Sequence, residues 1–250
     1  MLMAYNVGAF GKYKENSTAD AASIIKEIGA ETVAVCELDS CNARHGSYQL
    51  EDLAICLGGW NYVYGRAMPY LGGAYGGGLV TSRNVLDEFL IPLPAFDGAE
   101  PRVCVVAETD SYVFAATHLD YMSSNARIQQ AKLITSVLKE RYSPAKKPVF
   151  LAGDFNSEPS GEVMTYLFTE WILLSKATPT FPSAAASELY RGTHPSFQMA
   201  DRTNSSTETI DYILWLNGTG DVRVLDGGVC ASAPAVSASD HLPVWVELVF

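Results

Sequence analysis

No apolar run in the 250-residue chain approaches the roughly 20 residues that a bilayer-spanning helix needs, so no membrane span is expected. Positive charge is scarce as well. Seventeen Lys and Arg stand against 28 Asp and Glu, a formal charge of −11. Affinity for a nucleic-acid backbone comes largely from cations that neutralise phosphates, and the pair Lys146-Lys147 reads as a solvated loop before a strand rather than a basic patch. Long, nonspecific DNA is therefore disfavoured as a partner. Cysteine is sparse: Cys36, Cys41, Cys56, Cys104 and Cys230 show neither CxxC pairs nor the histidine spacing of a structural zinc site. Most of them are expected to be small core residues. The odd count leaves at least one thiol unpaired, and Cys36 and Cys41 are candidates for pairing only in an oxidising compartment. A signal-peptide pattern is also lacking, because Met1-Leu2-Met3-Ala4-Tyr5-Asn6 enters a strand-like segment at once. A soluble protein is expected, and an exported one whose leader has been removed fits the same start.

What the chain does have is enough apolar residue to build a core. Apolar residues make up 48% and charged residues 18%, a balance that favours a folded domain over disorder. One domain spanning 1–250 accommodates that length. Apolar, β-branched stretches bounded by turn residues predict strands at 32–38, 60–64, 102–108, 112–117 and 148–152, with more at 78–81, 209–216, 221–225 and 242–249. Helices are expected at 18–28, with Ser17 or Thr18 as N-cap and Gly29 just past the end, and at 49–57. A longer helix at 124–142 carries Ile128, Ala131, Ile134, Val137 and Leu138 near the helical period, with Pro144 beyond it. A fourth is expected at 161–168. Two sheets packed face to face with helices outside them satisfy this order. The Ser-, Thr-, Ala- and Pro-rich stretch 175–206 reads as a long surface excursion.

Polar residues gather where strands are expected to end. Val149-Phe150-Leu151-Ala152 runs into Gly153-Asp154-Phe155-Asn156, where Asp154 can orient or deprotonate a water and Asn156 can donate to a phosphoryl oxygen. An Asx turn capping the strand is the structural alternative. Ser239-Asp240-His241-Leu242-Pro243-Val244 sets an acid and an imidazole beside the last strand, pointing different ways on an extended backbone. Asp211 lies in an apolar strand, where an unpartnered carboxylate is costly. His241 is the expected partner, since a carboxylate behind an imidazole fixes its tautomer and stabilises its charged form. Asn6 and Glu37 end neighbouring strands and offer the oxygen ligands that hard cations prefer.

Taken in order, Tyr5-Asn6-Val7-Gly8, Glu37, Thr117-His118-Leu119, Gly153-Asp154-Phe155-Asn156, Asp211-Tyr212-Ile213 and Ser239-Asp240-His241-Leu242-Pro243-Val244 resemble the motifs of the endonuclease/exonuclease/phosphatase superfamily. The resemblance covers essentially the whole chain. It implies a four-layered α/β/β/α sandwich of the DNase I-like kind, with an active site at one end of two packed sheets. It implies that Asn6, Glu37 and Asp240 surround a metal ion. Asp154 and Asn156 would handle water and phosphate, Asp211 would orient His241, and His118 would touch the phosphoryl group or assist proton transfer. Arg102 is a candidate phosphate clamp, because a guanidinium binds two oxygens at once, and Arg44 follows Glu37 closely enough to reach substrate, with His45 beside it. Two departures stand out. Cys36 precedes Glu37 where many relatives have glutamine, and Tyr75-Gly76-Gly77-Gly78 stands where relatives commonly show an asparagine after the first glycine.

The expected activity is hydrolysis of a phosphate ester assisted by Mg2+ or Mn2+. A small phosphodiester, phosphomonoester or lipid headgroup is favoured over long DNA, and the enzyme is expected to be a monomer. A nuclease and a non-catalytic binding protein on the same fold are the alternatives.

Overall fold

The computed structural model describes residues 1–12, 14–96, 99–143, 146–175 and 209–250. Strands run at Leu2–Asn6 (β1), Thr32–Ser40 (β2), Asn61–Tyr70 (β3), Gly73–Thr81 (β4), Asp87–Leu93 (β5), Arg102–Glu108 (β6), Val113–His118 (β7), Val149–Asp154 (β8), Trp171–Leu173 (β9), Asp211–Leu216 (β10), Arg223–Val229 (β11) and Val244–Val249 (β12). Helices run at Thr18–Ile28 (α1), Gln49–Cys56 (α2), Ser124–Tyr142 (α3), Glu162–Glu170 (α4) and Ala233–Ala238 (α5). They form two six-stranded sheets, ordered β11-β12-β1-β2-β4-β3 and β5-β6-β7-β8-β10-β9. Near the middle of each sheet lies one parallel pair, β1 with β2 and β7 with β8.

Three layers of apolar packing hold the molecule together. Ile25, Leu50 and Leu53 seat α1 and α2 on the outer face of the first sheet, against Met3, Tyr5 and Val33. Leu2, Ala34, Val105, Phe114, Phe150 and Ile213 fill the space between the sheets. Ile134, Leu138, Met164 and Leu167 seat α3 and α4 on the second sheet, against Leu151, Phe155 and Leu214. Each such residue, fully buried, contributes roughly 1.5–3 kcal/mol of transfer free energy. The result is the α/β/β/α sandwich expected from the sequence.

Local details agree or differ for identifiable reasons. Gly29 ends α1 in the left-handed region at φ 77° and donates to Ile25 O and Lys26 O. Ser17 sits at the N-cap of α1 as expected, but its side chain makes no capping bond there, and its Oγ is buried without a hydrogen-bond partner. In α3, by contrast, Ser123 Oγ accepts from Ala126 N at 3.2 Å. Strands β5 and β9 and helix α5 escape the sequence reading. β5 and β9 are edge strands, and β5 begins with Asp87-Glu88 and contains Pro92, which an edge tolerates. Helix α5 spans only 6 residues, with a proline in its first turn. The cysteines also correct an expectation, since Cys41 and Cys56 are exposed and all five are free thiols. Only Cys36 and Cys104 are buried. Of the excursion expected at 175–206, only Ser175 falls among the described residues, and its Oγ accepts from Ile213 N at 2.8 Å.

Candidate active site

The sheet register brings the polar strand ends together. In the second sheet His118 of β7 and Asp211 of β10 are both direct neighbours of Asp154 on β8, so three polar side chains occupy one rung. Gly153 permits this crowding: its φ is +139°, and a Cβ there would lie 1.9 Å from Thr117 O. In the first sheet Asn6 pairs with Cys36. Glu37 follows in a bulge, because between Val35 and Leu38 the strand β2 carries one residue more than its partner β4. The bulge holds Glu37 at φ 60°, a conformation that costs a non-glycine residue free energy and clusters at functional sites. Opposite it stands the glycine run of β4, where a Cβ on Gly76 would meet Gly65 O at 1.9 Å and one on Gly78 would meet Val63 O at 2.5 Å. The close approach of strands β3 and β4 accounts for Gly76 and Gly78, whereas a Cβ on Gly77 would lie 3.2 Å from Val35 O of β2. Ser239 Oγ donates to Asn6 O at 2.7 Å, tying the Asp240-His241 segment to the same end of β1.

These side chains form a connected network. His241 Nδ1 lies 2.8 Å from Asp211 Oδ2, the pairing anticipated from the cost of burying Asp211. Burial alone would push the His241 pKa down, but Asp211 and Asp154 outweigh it and raise it to about 10. The ring is then an imidazolium at neutral pH, with Nε2–H facing Asp154 Oδ2 at 3.6 Å. His118 goes the other way. Burial, then Arg102 and His241, hold its pKa well below the usual histidine range. Arg102 Nη1 donates to its Nδ1 at 3.3 Å, which leaves Nε2–H turned to Asp154 Oδ2 at 3.5 Å. Asn6 Nδ2 donates to Asp154 Oδ2 at 3.1 Å and Glu37 Oε1 at 3.2 Å, while its Oδ1 accepts from Gly8 N. Three N–H donors therefore converge on one oxygen of Asp154. Burial, and the nearby Asp211, raise the Asp154 pKa to about 6, so the carboxylate is ionised at neutral pH and poised as a base.

Carboxylate oxygens of the kind a hard cation prefers are present as well. Glu37 and Asp240 are carboxylates held in low exposure, and the ammonium of Lys12 already sits on Glu37 Oε2. Among the described residues Asp154, Asp211 and His241 also offer ligand atoms within 4.8 Å of one another. The Asp211–His241 bond occupies two of those three groups.

The other sequence candidates fall on either side of this cluster. Arg102 is 6% exposed, reaches Glu100 Oε2 at 3.2 Å as well as His118, and keeps its Nε buried without a partner. Asn156, at φ 49°, donates one carboxamide proton to Leu119 O at 2.9 Å, and its backbone N–H holds Asp154 Oδ1 at 2.8 Å. The Asx turn is therefore present, and it fixes the carboxylate. Arg44 makes no contact with the cluster. It forks onto Asp39 with Nε to Oδ2 at 2.7 Å and Nη2 to Oδ1 at 2.9 Å, its guanidinium 5.0 Å from the Tyr70 ring centre. His45 Nδ1 joins the same Asp39 Oδ2. Sequence reasoning missed Lys12, Ser239 and Asp39. Ser239 and Asp39 stand one and two residues from named candidates, and Lys12 follows Asn6 by six in a Gly-containing turn.

Asp39 gives a stability prediction. Burial raises its pKa, but hydrogen bonds from Arg44, His45 and Asn42 outweigh this and hold it below the usual carboxylate range. A carboxylate lowered on folding stabilises the protein above its unfolded pKa of about 3.9, and that stabilisation is lost as pH falls through the folded value. Asp39→Asn is expected to cost about 1.5–3 kcal/mol at pH 7, with the gap to wild type narrowing in urea titrations below about pH 4. A gap of the same size at pH 3 contradicts this assignment.

Comparison with known proteins places this geometry in a family. The family model described as the Endonuclease/Exonuclease/phosphatase family matches residues 3–241. No curated protein matches the chain. Among solved structures, a functionally unknown conserved protein from Enterococcus faecalis superposes with a TM-score of 0.77 at 18% identity, covering 99% of this chain and 98% of its own. A mannosyl-6-phosphatase from Bacteroides thetaiotaomicron gives 0.75 at 20%, covering 100% and 99%. The human Nocturnin catalytic domain, with a bound sulfate anion, gives 0.70 at 19%, covering 100% and 92%. These likenesses establish the fold, and the family model over residues 3–241 establishes the family. The chain belongs to the endonuclease/exonuclease/phosphatase family and is a phosphoesterase.

Proposed function

We propose that the strand-end cluster hydrolyses small phosphate esters with the help of Mg2+ or Mn2+, held by Glu37 and Asp240 with Asn6 beside them. The family is generally dependent on divalent metals. The observation that carries the proposal is the convergence of Asn6 Nδ2, His118 Nε2 and His241 Nε2 on Asp154 Oδ2. At 3.5 and 3.6 Å the two imidazoles stand too far from that oxygen for full hydrogen bonds, so each Nε2–H keeps donor capacity for a phosphoryl oxygen. An ion bound at Glu37 and Asp240 supplies charge neutralisation at the phosphoryl group and the leaving oxygen. Asp154 takes a proton from the attacking water, with Asn156 holding it in place. His241, kept charged by Asp211, donates to the developing negative charge. His118, kept neutral, donates through Nε2–H, and Arg102 binds phosphoryl oxygens from the side.

A small substrate is favoured by the net charge of −11, which opposes a long polyanion. The mannosyl-6-phosphatase among the structural relatives gives sugar phosphates first place in a substrate panel. Hexose phosphates, a nitrophenyl monoester, a nitrophenyl diester, a phospholipid headgroup and a single-stranded oligonucleotide, assayed side by side with Mg2+ and with Mn2+, rank the classes. A soluble monoester or diester is expected to be turned over faster than the oligonucleotide. Salt-sensitive oligonucleotide cleavage that outpaces every small ester reverses the assignment in favour of a nuclease.

A further inference from the structure

We propose that Lys12 keeps the place of the divalent cation on Glu37 and, when the ion displaces it, turns to the substrate phosphate; this rests on the reading of Glu37 as a metal ligand. Glu37 uses its two oxygens differently: Oε1 accepts from Asn6 at 3.2 Å, and Oε2 takes the Lys12 ammonium. The carboxylate side chain is 12% exposed, and a charge so placed needs a cationic partner. Before any ion binds, Lys12 is that partner.

Hydrogen bonds hold the backbone of Lys12, while its side chain is 33% exposed and bonded through its ammonium to Glu37. Lys12 N donates to Gly8 O at 3.1 Å, and Ser17 N closes the turn on Phe10 O at 3.0 Å. Gln49 ties the turn to the sheet, donating to Ala9 O at 2.6 Å while its Oε1 accepts from Asp39 N at 2.8 Å. Gly11 lies flat against His45, whose Nε2 would be 2.5 Å from a Cβ added there. From this fixed anchor a four-carbon stem, 33% exposed, reaches into the site. It also lies within electrostatic reach of the reacting centre, since Lys12, after burial, Arg102 and His241, disfavours protonation of His118. An ammonium and a dication repel each other across one carboxylate oxygen, so an arriving ion drives Lys12 off Glu37. Released there, the ammonium stands near the phosphoryl oxygens, for which lysine is a point-charge ligand.

The test is Mn2+ binding to the metal-free protein, followed by the electron paramagnetic resonance signal of free Mn2+, in wild type, Lys12→Met, Glu37→Gln and the double variant. Removing the competitor is expected to tighten Mn2+ binding at least about threefold, and the gain is expected to vanish in the Glu37→Gln background, as coupled neighbours require. At saturating Mn2+, inorganic phosphate is expected to bind Lys12→Met at least about threefold more weakly than wild type, through loss of one charge-assisted contact. Equal or weaker Mn2+ binding by Lys12→Met, or an equal gain without Glu37, overturns the place-holder, and unchanged phosphate affinity overturns the handover. A wild-type protein that binds no Mn2+ defeats the metal reading of Glu37 itself, an outcome distinct from the others.

Discussion

Asp154→Asn is expected to lower kcat by roughly 10²- to 10⁴-fold, the range over which a positioned general base contributes, while the protein remains folded. The carboxylate is 1% exposed and receives its hydrogen bonds through Oδ2 from Asn6 and through Oδ1 from the Asn156 backbone N–H. An asparagine fills the same volume and still accepts through its one oxygen. What it loses is the ability to take a proton, the step assigned to Asp154. Its pKa, raised to about 6 chiefly by burial and secondarily by Asp211, gives it more basicity than an ordinary aspartate without making it neutral at pH 7. Steady-state kinetics on the best substrate of the panel separates the two effects. A loss confined to kcat supports the base role, whereas a rise in KM alone moves Asp154 to substrate binding.

His241→Ala is expected to cost roughly 10²- to 10³-fold in kcat, as removal of one donor to a developing oxyanion does. Asp211→Asn should reproduce most of that loss from behind the ring. Asp211 Oδ2 holds His241 Nδ1 at 2.8 Å, and Asp211 is first among the groups that keep the imidazole charged against its burial. Without that carboxylate the ring loses the largest of the groups that favour its charged form, and the hydrogen bond that fixes its orientation. The two losses share one cause, so His241→Ala combined with Asp211→Asn should be little worse than His241→Ala alone. Fully additive losses contradict the pairing, and so does an Asp211→Asn variant with wild-type kcat.

How much of this was legible in the sequence depends on the distance over which each feature is decided. Helices α1 and α3 were readable to the residue because their apolar spacing and flanking residues are local. Strand β5 was not, because an edge strand packs on fewer neighbours and tolerates the acids and proline that hide its pattern. Asn6, Glu37, His118, Asp154, Asp211, Asp240 and His241 are singled out by motifs that resemble the family's, the structure joins Asn6, Glu37, His118, Asp154, Asp211 and His241 in one network, and the pairing of Asp211 with His241 follows from the cost of a lone buried carboxylate. Lys12 was not legible. Its contact with Glu37 depends on a turn fixed by Gln49 and His45, and no spacing along the chain reports that. Arg44 was misleading for a similar reason: Asp39, two residues beyond Glu37, faces it across the loop and claims both ends of its fork.

The most direct measurement is the rate of release of nitrophenolate from a nitrophenyl phosphate ester by purified protein stripped of metal, then supplied with Mg2+ or Mn2+, then treated with chelator. Turnover that appears with the ion, disappears with the chelator and returns with fresh ion is the expected result. Turnover unaffected by stripping and chelation, or equal in wild type and Asp154→Asn, would contradict the assignment of this strand-end cluster as a metal-assisted phosphoesterase centre.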